Sequence, residues 1–162
     1  MMQSKAKANQ KDRGQAAVEF AMLLPIFLIV LFLIVDFGVG ISRWVVVTNA
    51  TREGARLGAV CGDGSDCDPS VDIAKRVATN SSGLLTDGDV NVYYLDGPDS
   101  NSDFGDRGDP VVVESDYEYQ LITPLRVFVG IAFDSINFSS CTDMRLELPV
   151  SGAANPNGGT GC

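Results

Sequence analysis

The uninterrupted apolar run from Phe20 to Val35 constrains this chain more than any other feature, and Phe37, Gly38, Val39, Gly40 and Ile41 continue it past Asp36. Counted back through Ala16, Ala17 and Val18 it gives about 20 mostly apolar residues, enough at ~1.5 Å of rise per residue to cross a ~30 Å hydrocarbon core. A core helix of a soluble domain has no use for so long a stretch that is apolar all round, so the run reads as a transmembrane helix. A cleavable secretory signal has the same basic and apolar regions, but no small-residue cleavage site follows Val35.

Charge divides the chain around this run. Residues 1–14 carry Lys5, Lys7, Lys11 and Arg13 against Asp12, a net +3; residues 15–56 are neutral; residues 57–162 carry five basic against seventeen acidic side chains, a net −12. Basic flanks stay on the cytoplasmic side, so residues 1–14 are expected there and everything after about Arg43 across the membrane, in a single pass. The acidic balance, −9 overall, repels a phosphate backbone and makes a nucleic-acid partner improbable. The chain has no His, which removes the commonest general base and imidazole ligand; no catalytic residues, metal site, cofactor or small-molecule substrate is predicted.

A processing site stands before the run. Gly14 is followed by Gln15-Ala16-Ala17-Val18-Glu19-Phe20, so a cut after Gly14 makes Glu19 the fifth residue of the mature chain. Together with Leu23-Leu24-Pro25, Asp36-Phe37-Gly38 and Asn49-Ala50-Thr51-Arg52-Glu53-Gly54-Ala55-Arg56, this resembles the TadE-like minor pseudopilins of the tight adherence (Tad/Flp) pilus, specifically over roughly residues 13–60. The resemblance implies a class III leader cut by an inner-membrane prepilin peptidase, with Gly14 and Gln15 at the cut. It also implies that Glu19 pairs with the new amino terminus of its own or a neighbouring subunit. An ionisable group just inside a membrane needs such a partner, unless it simply rests among the head groups. Phe20 completes the assembly motif. Pro25 either kinks the helix as a flexible point for extraction or packing, or is an ordinary transmembrane proline. Asp36 reads as a boundary residue at the far interface rather than a proton relay.

Past the membrane the helix is expected to continue as a stem, with Ile41, Trp44, Val45 and Thr48 on one stripe and Trp44 in the interfacial belt. Ala50, Gly54 and Gly58 recur every fourth residue, a strip that lets another backbone come close. Around it Glu53 pairs with Arg56, and Arg52 shares the face of Arg56. The segment is either a docking surface for a partner or the place where the stem packs on its own domain.

The expected fold class is α+β: a long transmembrane and stem helix followed by a small antiparallel sheet with disulfides. The divisions are residues 1–14 (basic leader), 15–60 (transmembrane helix and stem), 61–150 (extracytoplasmic domain) and 151–162 (irregular tail held only by Cys162). A second helix is expected from Pro69 to Thr79 with Asp68 as cap and Val71, Ala74 and Val77 on one face. Strands are expected over Asp89–Leu95, Val111–Leu121 and Met144–Val150, where apolar and polar residues alternate, leaving one acidic face in solvent. The apolar stretch from Thr123 to Phe133 is expected to be a connection, either a short helix or a packing loop. Four cysteines allow three pairings; Cys61 with Cys67 and Cys141 with Cys162 are the local ones and the ones expected in an oxidising compartment. The loop with Asp99, Asn101 and Asp103 has the first spacings of a calcium site but lacks its glycine and closing Glu, so a solvated loop is favoured over calcium. Arg107-Gly108-Asp109, an integrin-type tripeptide, is best read as chance.

Two functions compete. One is a pseudopilin anchored in a bacterial inner membrane, amino terminus cytoplasmic and domain periplasmic, working with other pilins and the Tad machinery in pilus initiation or minor-subunit incorporation. The other is an uncleaved, membrane-tethered binding or adhesion domain.

Overall fold

A computed structural model describes residues 8–64, 66–97, 104–124, 135–155 and 158–162. The chain divides into two compact units, Met1–Val39 with Leu121–Asp134 and Gly40–Gln120 with Ser135–Cys162. The element order is helix α1 (Ala8–Val60), helix α2 (Pro69–Asn80), a 3₁₀ turn (Asp87–Asp89), and strands β1 (Val90–Tyr94), β2 (Pro110–Gln120) and β3 (Ser135–Arg145). This is the expected α+β architecture: a long apolar helix, then a small antiparallel sheet with two disulfides.

In the first unit α1 runs unbroken through Pro25. Among the described residues it is the one helix long and apolar enough to cross a membrane, with mean hydropathy 2.9, and none of its most apolar window is buried by the protein. A core helix would be buried; the most apolar window of this one is exposed.

In the second unit the sheet order is β1-β2-β3, antiparallel throughout, with Val90 opposite Ser115 and Tyr94 opposite Val111 in one ladder and Pro110 opposite Arg145 and Gln120 opposite Ser135 in the other. The pleat sends Tyr94, Val111, Val113, Ser115, Tyr117, Tyr119 and Phe138 to one face. The stem part of α1 lies along that face, antiparallel to β2. Gly40 is closest to Tyr119 and Phe138, the Thr51 hydroxyl meets the Ser115 hydroxyl at 2.6 Å, and Gly58 is closest to Val111 and Ile73. Val112 lies on the opposite face with Tyr93, Glu114, Asp116, Glu118 and Cys141, yet it is 0% exposed. The carboxy-terminal tail also reaches this face: Cys162 is bonded to Cys141, and Gly159 lies against the Tyr93 ring. Below the tail Asp116, Glu118 and Gln120 remain exposed, an acidic solvated strip.

The second helix starts at Pro69, whose missing N–H is no loss in a first turn. Asp68 caps it with its carbonyl, which accepts from the Asp72 N–H at 2.7 Å, while the Asp72 carboxylate accepts from the Asp68 N–H at 2.9 Å. Its buried face is Ile73, Ala74 and Val77; Val71, expected on that face, is exposed, because Ile73 and Val77 are the side chains that meet the stem.

The last strand departs from expectation. β3 occupies Ser135–Arg145, and of the predicted Met144–Val150 only the first two residues belong to it. β3 pairs along its length with the 11 residues of β2; Ile136 and Phe138 alternate with polar residues at its start, but the pattern breaks from Ser139 onward, where the strand is held by the ladder. Residues 146–150 instead tie loops together. The Leu146 N–H donates to the Asp109 carbonyl (2.9 Å), Glu147 to Ala59 (2.7 Å) and Val150 to Gly105 (2.8 Å), while the Pro149 carbonyl accepts from Asp63 (2.7 Å). Leu146 and Val150 fill the core with Tyr94 and Val111.

The tail is irregular as expected but is held by more than Cys162. Ser151 donates its hydroxyl (2.5 Å) and N–H (3.2 Å) to the Asp63 carboxylate, holding that carboxyl below its usual range, and the Tyr94 N–H donates to the Ala154 carbonyl at 3.1 Å. The expected connection of residues 123–133 lies outside the described residues from residue 125 onward.

Tyr94 yields a test. Burial, and next the charge of Asp68, push its hydroxyl up to about 12 from the usual 10. The unfolded chain therefore releases this proton first, so the stability is whole below pH 10 and is lost as pH rises from 10 toward 12. The Tyr94 Oη has no hydrogen-bond partner among the described residues. Tyr94→Phe is therefore expected to cost little at neutral pH and to remove part of the alkaline loss, as urea unfolding at mildly and strongly alkaline pH would reveal. Tyr93, raised by burial and then by Glu114, retains the rest.

Candidate functional site

The amino-terminal group sits on α1. Gln15 and Glu19, four residues apart, fall on one helical face, and the Gln15 Nε2 donates to the Glu19 Oε1 at 3.2 Å. Both are exposed, and Phe20 is 67% exposed. Nothing lies within 4 Å of a Cβ added at Gly14, so that glycine has no packing reason to be there. Gly14 and Gln15, on either side of the expected cut, are both exposed. Pro25 lies within the exposed apolar part of the same helix.

Asp36 does more than mark a boundary. It is 4% exposed, its Oδ1 accepts the N–H groups of Ile122 (3.0 Å) and Thr123 (3.2 Å), and its Oδ2 accepts the Thr123 hydroxyl. One carboxylate thus collects three donors and ties α1 to the chain leaving β2, as a capping Asp does at a helix end. Spacing in the sequence placed it at the edge of the apolar run; only the fold supplied partners 86 and 87 residues away.

On the stem the small-residue strip faces the domain. Ala50, Gly54 and Gly58 are buried, and a Cβ at Gly54 would stand 2.2 Å from Val77 Cγ2. Arg52, Glu53 and Arg56 are exposed on the other side of the helix. Of the stripe Ile41, Trp44, Val45 and Thr48, the first three are exposed and Thr48 is half-buried, while glycine and alanine let α1 approach the sheet. Trp44 still stacks on Phe138, with centroids 6.5 Å apart. Its neighbour Arg43 donates to the Tyr117 hydroxyl (3.1 Å) and lies over the Tyr119 ring at 5.4 Å. Sequence reading missed this cluster, whose only local signal was an Arg beside an interfacial Trp.

Residues 14–56 match the family model described as TadE-like protein. This segment resembles that family. No curated protein and no solved structure matches the chain. The TadE-like match begins at the glycine before the expected cut and ends at Arg56, so it takes in Glu19, Pro25, Asp36, Ala50 and Gly54 and stops short of the sheet.

Beyond the TadE-like segment, Cys61 is bonded to Cys67 and Cys141 to Cys162, with Cα separations of 5.4 and 5.6 Å. The first closes the loop at the end of the stem; the second fastens the tail to β3. No group of three or more His, Cys, Asp or Glu among the described residues is placed to hold a metal ion. Asp99, Asn101 and Asp103 of the calcium-like loop lie outside the described residues. The Arg107-Gly108-Asp109 tripeptide forms a turn with Gly108 at φ +100°, and Asp109 is 2% exposed, with its Oδ2 accepting the Asp106 N–H at 3.0 Å. A carboxylate turned inward presents nothing to a receptor.

Proposed function

We propose that this chain is a minor pseudopilin-like protein of a tight adherence (Flp) type IVb pilus, cut after Gly14 by a prepilin peptidase and used in pilus initiation or minor-subunit incorporation. The observation that carries this reading is register: Gly14, then Glu19 and Phe20, stand at the head of a membrane-competent helix inside a TadE-like match. In this reading residues 1–14 are a cytoplasmic leader, residues 15–60 the transmembrane helix and stem, residues 61–150 the periplasmic domain and residues 151–162 its tail. The inner membrane holds the protein until other pilins and the Tad machinery draw on it. After the cut the amino group of Gln15 lies one helical turn from Glu19, close enough to neutralise a carboxylate entering the membrane. The Gln15 side chain, already bonded to Glu19, holds that carboxylate on the same face. The role is structural: the chain contributes a helix and a surface, not a reaction.

Intact mass of the membrane-extracted protein, made with and without the cognate prepilin peptidase, tests this. The expected result is a peptidase-dependent loss of residues 1–14, abolished by Gly14→Leu, a substitution in open space that leaves the fold alone. A full-length mass in the presence of active peptidase would overturn the reading in favour of an uncleaved, membrane-tethered binding domain.

A further inference from the structure

Among the described residues β1 is an edge strand with part of its edge unpaired. In its ladder with β2 the Leu95 N–H donates to the Pro110 carbonyl at 3.0 Å. By the alternation of antiparallel pairs, Asn91, Tyr93 and Leu95 turn their backbone groups toward β2, and Val90, Val92 and Tyr94 turn theirs outward. At Tyr94 the tail takes the outward N–H through the Ala154 carbonyl. Val90 and Val92 have no such partner among the described residues. An unpaired strand edge is a template for a further strand.

This edge lies in a groove of about 750 Å³. Pro69, Val71 and Ala74 of α2 form the opposite wall, and Ala153 and Ala154 close one end. Val71 is exposed there although it is a large apolar side chain on a helix that buries Ile73, Ala74 and Val77. Tyr94 also lines the groove; it is 6% exposed, and its hydroxyl has no hydrogen-bond partner among the described residues. Asp68 and Asp87 give the groove negative charge.

We propose that this groove receives an extended, Lys- or Arg-bearing segment of another protein, which adds a fourth strand to the outer edge of β1. Its backbone bonds to Val90 and Val92 as the tail already bonds to Tyr94, one apolar side chain rests on Val71 and Ala74, and its cation meets Asp68 and Asp87. The Tyr94 hydroxyl, kept in its neutral form, gives or takes the remaining hydrogen bond. A second copy of this chain is the wrong occupant on charge: residues 57–162 carry five basic side chains against seventeen acidic ones. The inference goes beyond pilus assembly and holds whether or not the chain is cut after Gly14.

The test is amide hydrogen exchange on the full chain in detergent micelles, with a capped nine-residue peptide of alternating Val and Thr carrying a central Lys, and a control peptide with Glu in its place. The Lys peptide is expected to slow exchange at Val90 and Val92 and to bind about tenfold more tightly than the Glu peptide. Val71→Lys, at an exposed position outside the core, is expected to weaken the Lys peptide by about tenfold with no change in the unfolding transition, and Tyr94→Phe to weaken it severalfold. Three results would overturn the proposal: unchanged exchange at Val90 and Val92 with millimolar Lys peptide, equal binding of the two peptides, or slowing that rises with protein concentration alone, which assigns the edge to a second copy.

Discussion

Gly54→Leu is expected to abolish the native packing of the stem while leaving the apolar part of α1 helical. At this position even a methyl group would stand 2.2 Å from Val77 Cγ2 and 3.7 Å from Ile73, in a site closed by α2. Gly54→Ala separates two opposing terms. Alanine gains about 1 kcal/mol of helix propensity over glycine, but forcing a methyl into a filled core costs about 1–3 kcal/mol. The net for Gly54→Ala is a loss of about 1 kcal/mol, and Leu, with three more carbons and no room for them, is expected to exceed about 3 kcal/mol. Urea unfolding of the full chain in micelles measures both, and Trp44 is a built-in probe because it is the only tryptophan and stacks on Phe138. Glu53→Ala, one residue away on the exposed side, is expected to change stability by less than about 0.5 kcal/mol. Gly54→Ala combined with Val77→Ala is expected to cost less than the sum of the two single changes, because the second removes the methyl group that the first collides with. Strict additivity would mean that the stem does not rest on α2 at this point.

Removing the Cys141–Cys162 disulfide, as Cys141→Ser with Cys162→Ser, is expected to cost about 3 kcal/mol on the loop-entropy relation for a span of 21 residues, against about 2 kcal/mol for the Cys61–Cys67 loop with its span of 6. A second effect separates the two bonds. The tail packs on Tyr93 and Leu95, so freeing it is expected to expose apolar surface on a sheet face that is otherwise acidic. The Cys141 and Cys162 double variant is therefore expected to bind a hydrophobic dye in its folded state and to be cut within residues 151–162 by a protease that leaves the parent intact. The Cys61 and Cys67 double variant should do neither. Equal dye binding by both would show that the tail does not depend on its bond to β3.

The elements with strong local signals were the ones legible in the sequence. The apolar run from Phe20 to Val35 needs no tertiary partner to be helical, since in a membrane each backbone group must bond within its own segment. Pro69 after Asp68 starts a helix in any context, and the alternation in residues 111–121 reports a strand half in water. β3 was not legible, because its alternation breaks from Ser139 onward and the strand is held there by the ladder with β2, not by its own pattern. The continuation of the helix past Ile41 was legible, but not which of its faces packs: Gly40, Gly54 and Gly58, not the large apolar residues, are the ones closest to the sheet and α2. The expected processing residues Gly14, Gln15 and Glu19 were legible as a motif because their spacing lies along a single helix.

The sequence by itself determined the membrane-competent helix, the acidic character of residues 57–162 and the TadE-like spacing at the helix head, all properties of consecutive residues. Only the tertiary structure decided that Asp36 gathers the donors of Ile122 and Thr123, that Arg43 bonds to Tyr117 and lies over Tyr119, that the tail packs on Tyr93, and that Val90 and Val92 at the edge of β1 have no backbone partner on their outer side among the described residues. The physical reason is range. Helix periodicity and hydropathy are carried by neighbours in the chain, whereas buried hydrogen bonds and strand pairing join residues tens of positions apart, and which of them meet is known only when the chain has folded.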